Sequence, residues 1–256
     1  LLDFNSLYPS IIQEYNICFT TVERPKDGDM AQLPATSGGE MAPLPATIKN
    51  LVDRRRAVKA LLKSECDPVL RHQHDVKQMA LKITANSMYG CLGFEGARFY
   101  AKPLAELVTS RGREILASTV ALVDQLEGLE VVYGDTDSIM VYTGSVDLDE
   151  VRKAGIRIKK EVNARYRLLE LDLDGFYRRM LLLKKKKYAA VVVEDGPHGL
   201  TEKMEMKGLD IVRRDWCPLA KECGERVLEI ILSGRSREDS VEAIHELLRV
   251  TRQQID

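Results

Sequence analysis

Two adjacent stretches of this chain read as helices, the first with apolar residues at three- and four-residue spacing. In the first, Ile48, Leu51, Val52, Val58, Leu61 and Leu62 mark one helical face through about Glu65, with Thr47 placed to cap it. Asp67-Pro68 breaks that run, and a second helix is predicted from about Val69 to Tyr89, stopping at Gly90 and Gly93. Two long arms with a short break between them predict an antiparallel helical hairpin. Elsewhere the period falls to two. Val131, Val132, Ile139 and Val141 flank Gly134-Asp135-Thr136-Asp137, which predicts a β-hairpin with acid at its tip and a reversal at Gly134-Asp135.

The opening Leu1-Leu2-Asp3-Phe4 reads as a strand that pairs with this hairpin, and Pro9 to Tyr15 as a short helix. Pro25, Gly28, Pro34, Gly38, Gly39, Pro43 and Pro45 make residues 25–46 an exposed, mobile loop. A short strand at Phe99-Tyr100 and helices at Pro103–Leu126 and Asp149–Leu168 follow. Next, Leu169, Leu171 and Leu173 alternate with Glu170, Asp172 and Asp174. Further strands are expected at Tyr188–Val193 and Thr201–Met206 around Asp195-Gly196-Pro197. Two helices close the chain, the last capped by Ser236 and Asp239. The fold class is α+β, with no internal repeat.

With 256 residues, 45% of them hydrophobic, the chain can bury one large core or two smaller ones. Net charge is -1, so no overall basic field marks a nucleic-acid binder. That balance conceals local concentrations at Arg54-Arg55-Arg56, Lys184-Lys185-Lys186-Lys187 and Arg213-Arg214, each able to meet phosphate. Five cysteines without a Cys-x-x-Cys pair argue against a disulfide framework or zinc ribbon and for a reducing compartment. His72, His74, His198 and His245 lack metal-ligand spacing. With no apolar run of spanning length and no signal peptide, no membrane partner is expected. A strand already under way by residue 3 suggests a piece of a longer polypeptide.

Asp135 and Asp137 stand at i and i+2, a spacing that in extended chain aims both carboxylates one way, and carboxylates so crowded need a cation or a shared proton, a divalent metal being the first candidate. A lone Gly-Asp-x-Asp is more often turn chemistry. Two other groups change the balance. Asp3 ends a strand just before Tyr8 and a helix start, and Lys82, Asn86 and Tyr89 lie at i, i+4 and i+7 of one helix. Arg55 and Lys59 are likewise at i and i+4 on the preceding helix. Such a cationic face suits a triphosphate, although a charged helix face usually just meets water. A glycosyltransferase holding Mn²⁺ on Asp135-Thr136-Asp137 would leave Lys82, Asn86 and Tyr89 without a task, and a non-catalytic nucleic-acid scaffold would have no need of all these groups together.

In order along the chain, Asp3 to Ser10 resembles motif A of the family B DNA polymerases, Lys82 to Gly90 motif B, and Tyr133 to Ser138 motif C. The resemblance covers essentially the whole chain, including Lys184 to Tyr188 and Lys207 to Cys217. Asp3-Phe4-Asn5-Ser6, Thr84 to Gly93 and Gly208-Leu209-Asp210-Ile211 are more similar to the eukaryotic alpha branch than to delta. It implies a polymerase palm with an antiparallel sheet and packed helices, a two-helix fingers insertion and the start of a thumb. The expected divisions are 1–46 (the first palm segment, with the loop), 47–93 (fingers), 94–215 (the second palm segment) and 216–256 (thumb). The family's exonuclease and amino-terminal domains would lie upstream.

The implied catalytic residues are Asp3, Asp135 and Asp137, with two Mg²⁺ held by Asp3, Asp137 and the Phe4 carbonyl while Asp135 acts mainly through its charge. Ser6, Leu7, Arg55, Lys59, Lys82 and Asn86 would bind the incoming dNTP. Tyr8 would be a steric gate against a ribose 2′-hydroxyl, and Tyr89 would test the nascent base pair. Lys184, Lys185, Lys186, Lys187, Tyr188, Lys207 and Gly208 would track primer-template DNA, the alternative for the lysine run being a charged strand edge. Primase and accessory subunits would be partners through other regions, and the nucleus the location.

Overall fold

The computed structural model describes residues 1–26, 29–34, 40–196 and 199–253. Two compact units emerge, Leu2–Leu173 and Asp174–Asp256 together with Leu1. In the larger unit the elements are β1 (Leu2–Phe4), α1 (Leu7–Glu14), α2 (Pro43–Ser64), α3 (Pro68–Gly93), α4 (Lys102–Asp124), β2 (Glu130–Asp135), β3 (Ser138–Tyr142), α5 (Leu148–Asn163) and β4 (Leu171–Leu173). The smaller unit holds β5 (Phe176–Lys184), β6 (Lys187–Gly196), β7 (Gly199–Lys207), a 3₁₀ turn at Asp210–Val212, α6 (Pro218–Leu232) and α7 (Arg237–Gln253). This is an α+β architecture.

The larger unit is organised around an antiparallel sheet ordered β2-β3-β1-β4. β1 is three residues long yet central: Leu2 pairs with Ile139 on one side and Leu173 on the other, and Asp3 with Ser138 and Asp172. The predicted pairing of the first strand with the acidic hairpin is therefore present. Leu2 and Phe4 enter the core while Asp3 alternates out of it, as period-two side chains must. α1 is buried nearly all round through Leu7, Ile11 and Ile12, and its buried Gln13 donates from Nε2 to the Pro9 carbonyl at 3.0 Å.

α2 and α3, of 22 and 26 residues joined by three, form the predicted helical hairpin. α2 begins at Pro43 instead of after Thr47. The reason lies in buried Asn16, whose Oδ1 accepts from the Ala42 amide at 2.9 Å and whose Nδ2 donates to the Glu40 carbonyl at 3.2 Å, fixing the approach. Pro43 and Pro45 then cost nothing in a first turn, where their missing N–H groups have no helical partner. Thr47 turns its hydroxyl back to the Pro43 carbonyl at 2.8 Å. Ala31 and Ala42 of the expected exposed loop are buried, and residues 27–28 and 35–39 lie outside the described residues.

Three other expectations are corrected. α3 runs through Gly90 to Gly93, because burial of Leu92 outweighs the roughly 1 kcal/mol that a helical glycine costs relative to alanine. Phe99-Tyr100 is not a strand but a chain of turns, closed by the Tyr100 amide donating to the Ala97 carbonyl at 3.1 Å and Ala101 to Leu92 at 2.9 Å. α5 stops at Asn163, well short of Leu168. Asn163 bonds both main-chain groups of Leu171, at 2.7 and 3.0 Å, and so ties the helix end to β4. Glu14 reinforces that junction by accepting from the Leu168 amide at 2.7 Å.

The smaller unit is an antiparallel β5-β6-β7 meander. Its buried cluster joins Ala189 of β6 to Leu209 and to Leu228 and Leu232 of α6. Ser236 caps α7 as expected, its Oγ accepting from the Asp239 amide at 3.1 Å. The Pro197 position of the expected β6–β7 turn lies outside the described residues. Among those described, no helix is long and apolar enough to cross a membrane.

Leu171 is fully buried and sits beside Phe4 in the sheet. Leu171→Ala is expected to destabilise the larger unit by about 2–5 kcal/mol, read as a lowered urea midpoint at unchanged slope.

Candidate active site

The short central strand brings residues from opposite ends of the larger unit together. The Phe4 amide donates to the Asp137 carbonyl at 2.8 Å, and the Asn5 amide to the Glu170 carbonyl at 2.8 Å, so the end of β1 is held on both sides. Beyond it Ser6 adopts a left-handed conformation (φ 52°) that turns the chain into α1, with Ser10 Oγ donating to the Asn5 carbonyl at 3.1 Å. The opposing hairpin reverses at Thr136-Asp137, not at Gly134-Asp135. Gly134 lies within β2, and the left-handed residue is Thr136 (φ 32°), an unusual conformation for a β-branched side chain and one that is concentrated at functional sites. Asp135 and Asp137 are therefore not alternate residues of one strand: Asp135 ends β2 and Asp137 occupies the turn.

A cleft of about 430 Å³ opens here, lined by Asp3, Phe4, Ser6, Leu7, Tyr8, Arg55, Lys82, Asn86, Tyr89 and Asp137, with Asn5, Pro9 and Thr136. Asp135 and Lys59 are not among the lining residues. The Asp135 Oδ1 accepts from the Thr136 hydroxyl at 3.2 Å, and Lys59 is exposed one turn beyond Arg55. The first turn of α1 also faces the cleft, adding its helix-terminal N–H groups to the cationic side chains as attraction for an anion.

Arg55 is held by a group that the sequence reading missed. Its Nε donates to Gln78 Oε1 at 3.3 Å, and Gln78, itself buried, donates from Nε2 to Asp75 Oδ1 at 3.0 Å. Burial lowers the Arg55 pKa, but a guanidinium stays charged throughout the working range. The signal was present in the chain: Gln78 lies four residues before Lys82 and eight before Asn86, on the same helical stripe.

Tyr8 and Tyr89 pack ring to ring, with centroids 4.4 Å apart and planes inclined at 35°. Burial first, and the Asp137 charge second, push the Tyr8 phenol above its ordinary range, with Arg113 pulling it back. Burial likewise raises Tyr89. Both rings are neutral at neutral pH. Across the sheet from Asp3, Asp172 accepts from Lys159 Nζ at 2.7 Å, a bond that holds its carboxyl below the usual range and neutralises it locally.

Among the described residues no group of three or more His, Cys, Asp or Glu side chains forms a metal cage. The cleft is instead lined by two carboxylates, Asp3 and Asp137, both hard oxygen donors, with Phe4 also in the lining. That set suits Mg²⁺, which keeps several waters and is commonly completed by substrate phosphates.

All of residues 1–256 match the family model described as DNA polymerase family B. The chain belongs to DNA polymerase family B. It is 57% identical to the DNA polymerase alpha catalytic subunit of Oryza sativa subsp. japonica over 256 residues, covering 100% of this chain and 16% of that protein. To the proteins of the same name it is 56% identical in Xenopus laevis (97% of this chain, 18% of that protein) and 51% identical in Drosophila melanogaster (100% and 17%). The family B chain thus spans about a sixth of the length of these curated relatives.

The remaining expected site residues of this family B chain lie in its smaller unit. Lys184 ends β5, Lys185 and Lys186 form the hairpin turn with Lys186 left-handed (φ 63°), and Lys187 starts β6. The Lys187 ammonium donates to Asp210 Oδ1 at 3.0 Å, and Lys207 pairs with Glu205. Gly208 (φ 62°) packs so closely beneath the turn that a Cβ would run into the Lys186 carbonyl oxygen, so only glycine fits. Tyr188 is buried and hydrogen-bonded to Tyr177, whose pKa is raised mainly by burial.

Proposed function

We propose that this chain contains the nucleotidyl-transfer centre of a template-directed DNA polymerase that extends a primer 3′-hydroxyl with deoxynucleotides. The observation that carries the reading is the convergence of Asp3 and Asp137 with Arg55, Lys82 and Asn86 on one cleft, residues drawn from four separated stretches of sequence. Two Mg²⁺ ions held by Asp3, Asp137 and the Phe4 carbonyl would activate the primer hydroxyl and neutralise the triphosphate as pyrophosphate leaves. The chain's own groups then bind and align. Arg55 and Lys82 pair with the β- and γ-phosphates, and Asn86 donates its amide beside them. The first turn of α1 adds main-chain donors at Leu7 and Tyr8. Asp135 and Lys59, set back from the cleft, act through charge at longer range.

In this reading residues 1–46 and 94–215 are palm, 47–93 fingers, and 216–256 the start of a thumb. Lys184 to Lys187, Tyr188, Lys207 and Gly208 track the primer-template duplex. Likeness to alpha catalytic subunits favours primer extension at the start of replication, in the nucleus and alongside a primase.

The test is primer extension on a defined template by the longest natural polypeptide that carries this sequence. Incorporation of the templated dNTP, dependent on Mg²⁺, is expected; binding of DNA without turnover would favour a scaffold instead. Tyr8→Ala is expected to relax discrimination against ribonucleotides by roughly 10²-fold, since rejecting a hydroxyl by shape requires the ring's bulk. Competition of rNTP with dNTP at one template position measures it, and unchanged selectivity would remove the gate.

A further inference from the structure

Gly112 lies in the middle of α4, buried, where a glycine costs about 1 kcal/mol relative to alanine and needs a reason. The space around it supplies one. A Cβ built at Gly112 would stand 3.2 Å from Tyr8 Cε1, 3.6 Å from Ile11 Cδ1 and 3.7 Å from Leu7 Cδ2. The first of these separations is tighter than ordinary carbon contacts, so the Tyr8 ring would have to move by a few tenths of an ångström. Its freedom is limited, because the Tyr89 ring lies against it at 4.4 Å and Leu7 and Ile11 on the same helix are fully packed.

We propose that Gly112 is a positioning residue for sugar discrimination: lacking a side chain, it lets the Tyr8 ring sit back against α4 and so sets the clearance the gate leaves for a nucleotide. The inference rests on the reading of Tyr8 as the gate. Adding a methyl at position 112 narrows the space under the ring and drives it away from α4. A deoxyribose then fits less well, and a ribose, whose extra hydroxyl is the group nearest the ring, is disfavoured further.

The test compares Gly112→Ala, Tyr8→Ala and the double variant in the same natural polypeptide, using single-nucleotide incorporation of a matched dNTP and rNTP. For Gly112→Ala the dNTP KM is expected to rise about 3- to 10-fold with kcat nearly unchanged, and dNTP-over-rNTP discrimination to increase by a similar factor, the scale set by a displacement well under 1 Å. With Tyr8 already alanine, Gly112→Ala should change neither quantity. If Tyr8→Ala fails to relax discrimination, the gate reading falls and this inference with it. If Tyr8→Ala relaxes discrimination while Gly112→Ala leaves it unchanged, or has the same effect in both backgrounds, the gate stands and the role of Gly112 is refuted. Should Gly112→Ala prove too unstable to assay, thermal melts decide: removing the Tyr8 ring is expected to restore stability, and a melting temperature left equally low in the double variant overturns the proposal.

Discussion

Asp137→Ala, and separately Asp3→Ala, is expected to lower templated incorporation by at least about 10³-fold while leaving duplex affinity nearly unchanged. The size follows from what the carboxylates would hold: metal stabilisation of developing charge is worth several kcal/mol, and each 1.36 kcal/mol is tenfold in rate. DNA affinity is spared because neither acid contributes attraction to phosphate, and losing a negative charge reduces repulsion. Asp135→Ala should fall less steeply, since Asp135 does not line the cleft. Single-turnover extension over a range of Mg²⁺ concentrations, paired with a duplex binding isotherm, measures all three. A residual rate above about a hundredth of wild type for Asp3→Ala or Asp137→Ala would exclude the metal role.

The second large effect is expected at Lys82. Lys82 lines the same cleft as Asp3 and Asp137, whereas Lys59 does not. Losing a hydrogen bond to a charged group costs about 1.5–3 kcal/mol, which places Lys82→Ala at roughly 10- to 100-fold in kcat/KM for the dNTP. Lys59→Ala should lie within a few-fold of wild type, a long-range charge in solvent being screened. Pre-steady-state kinetics at several dNTP concentrations separates the two. Equal losses at Lys59 and Lys82 would mean that the triphosphate does not lie where the cleft places it. Gln78→Ala offers an internal comparison, because it removes the acceptor that holds Arg55 while leaving every cation in place.

Much of this was legible in the chain. The three-and-four spacing from Ile48 to Leu62 is a local property of helices, as is the Asp67-Pro68 break that starts the second arm, and both arms formed. The acidic hairpin was equally local, resting on β-branched residues to either side of a short polar turn. Element limits were less legible where a distant side chain decides them. Asn16 sets the start of α2 and Asn163 the end of α5, each by bonding main-chain groups remote in sequence. The expected strand at Phe99-Tyr100 failed for a related reason: aromatic content favours strands only where a partner strand exists, and here the amides close turns instead. Gln78 could have been found from its four-residue offset to Lys82, but Gly112 left no signal, because the ring it accommodates lies more than a hundred residues away in sequence.

The amino-acid sequence alone determined the helical hairpin, the acid-tipped β-hairpin and the candidate residues, because each depends on neighbours within a few positions and on the short motifs that carry family resemblance. Only the tertiary structure decided which candidates meet. It seated Asp3 beside Asp137 through a three-residue strand, set Asp135 and Lys59 back from the cleft, and packed Tyr8 against both Gly112 and Tyr89. Those outcomes depend on strand register and helix packing, which are fixed by burial of the whole core and not by the residues that will do the chemistry.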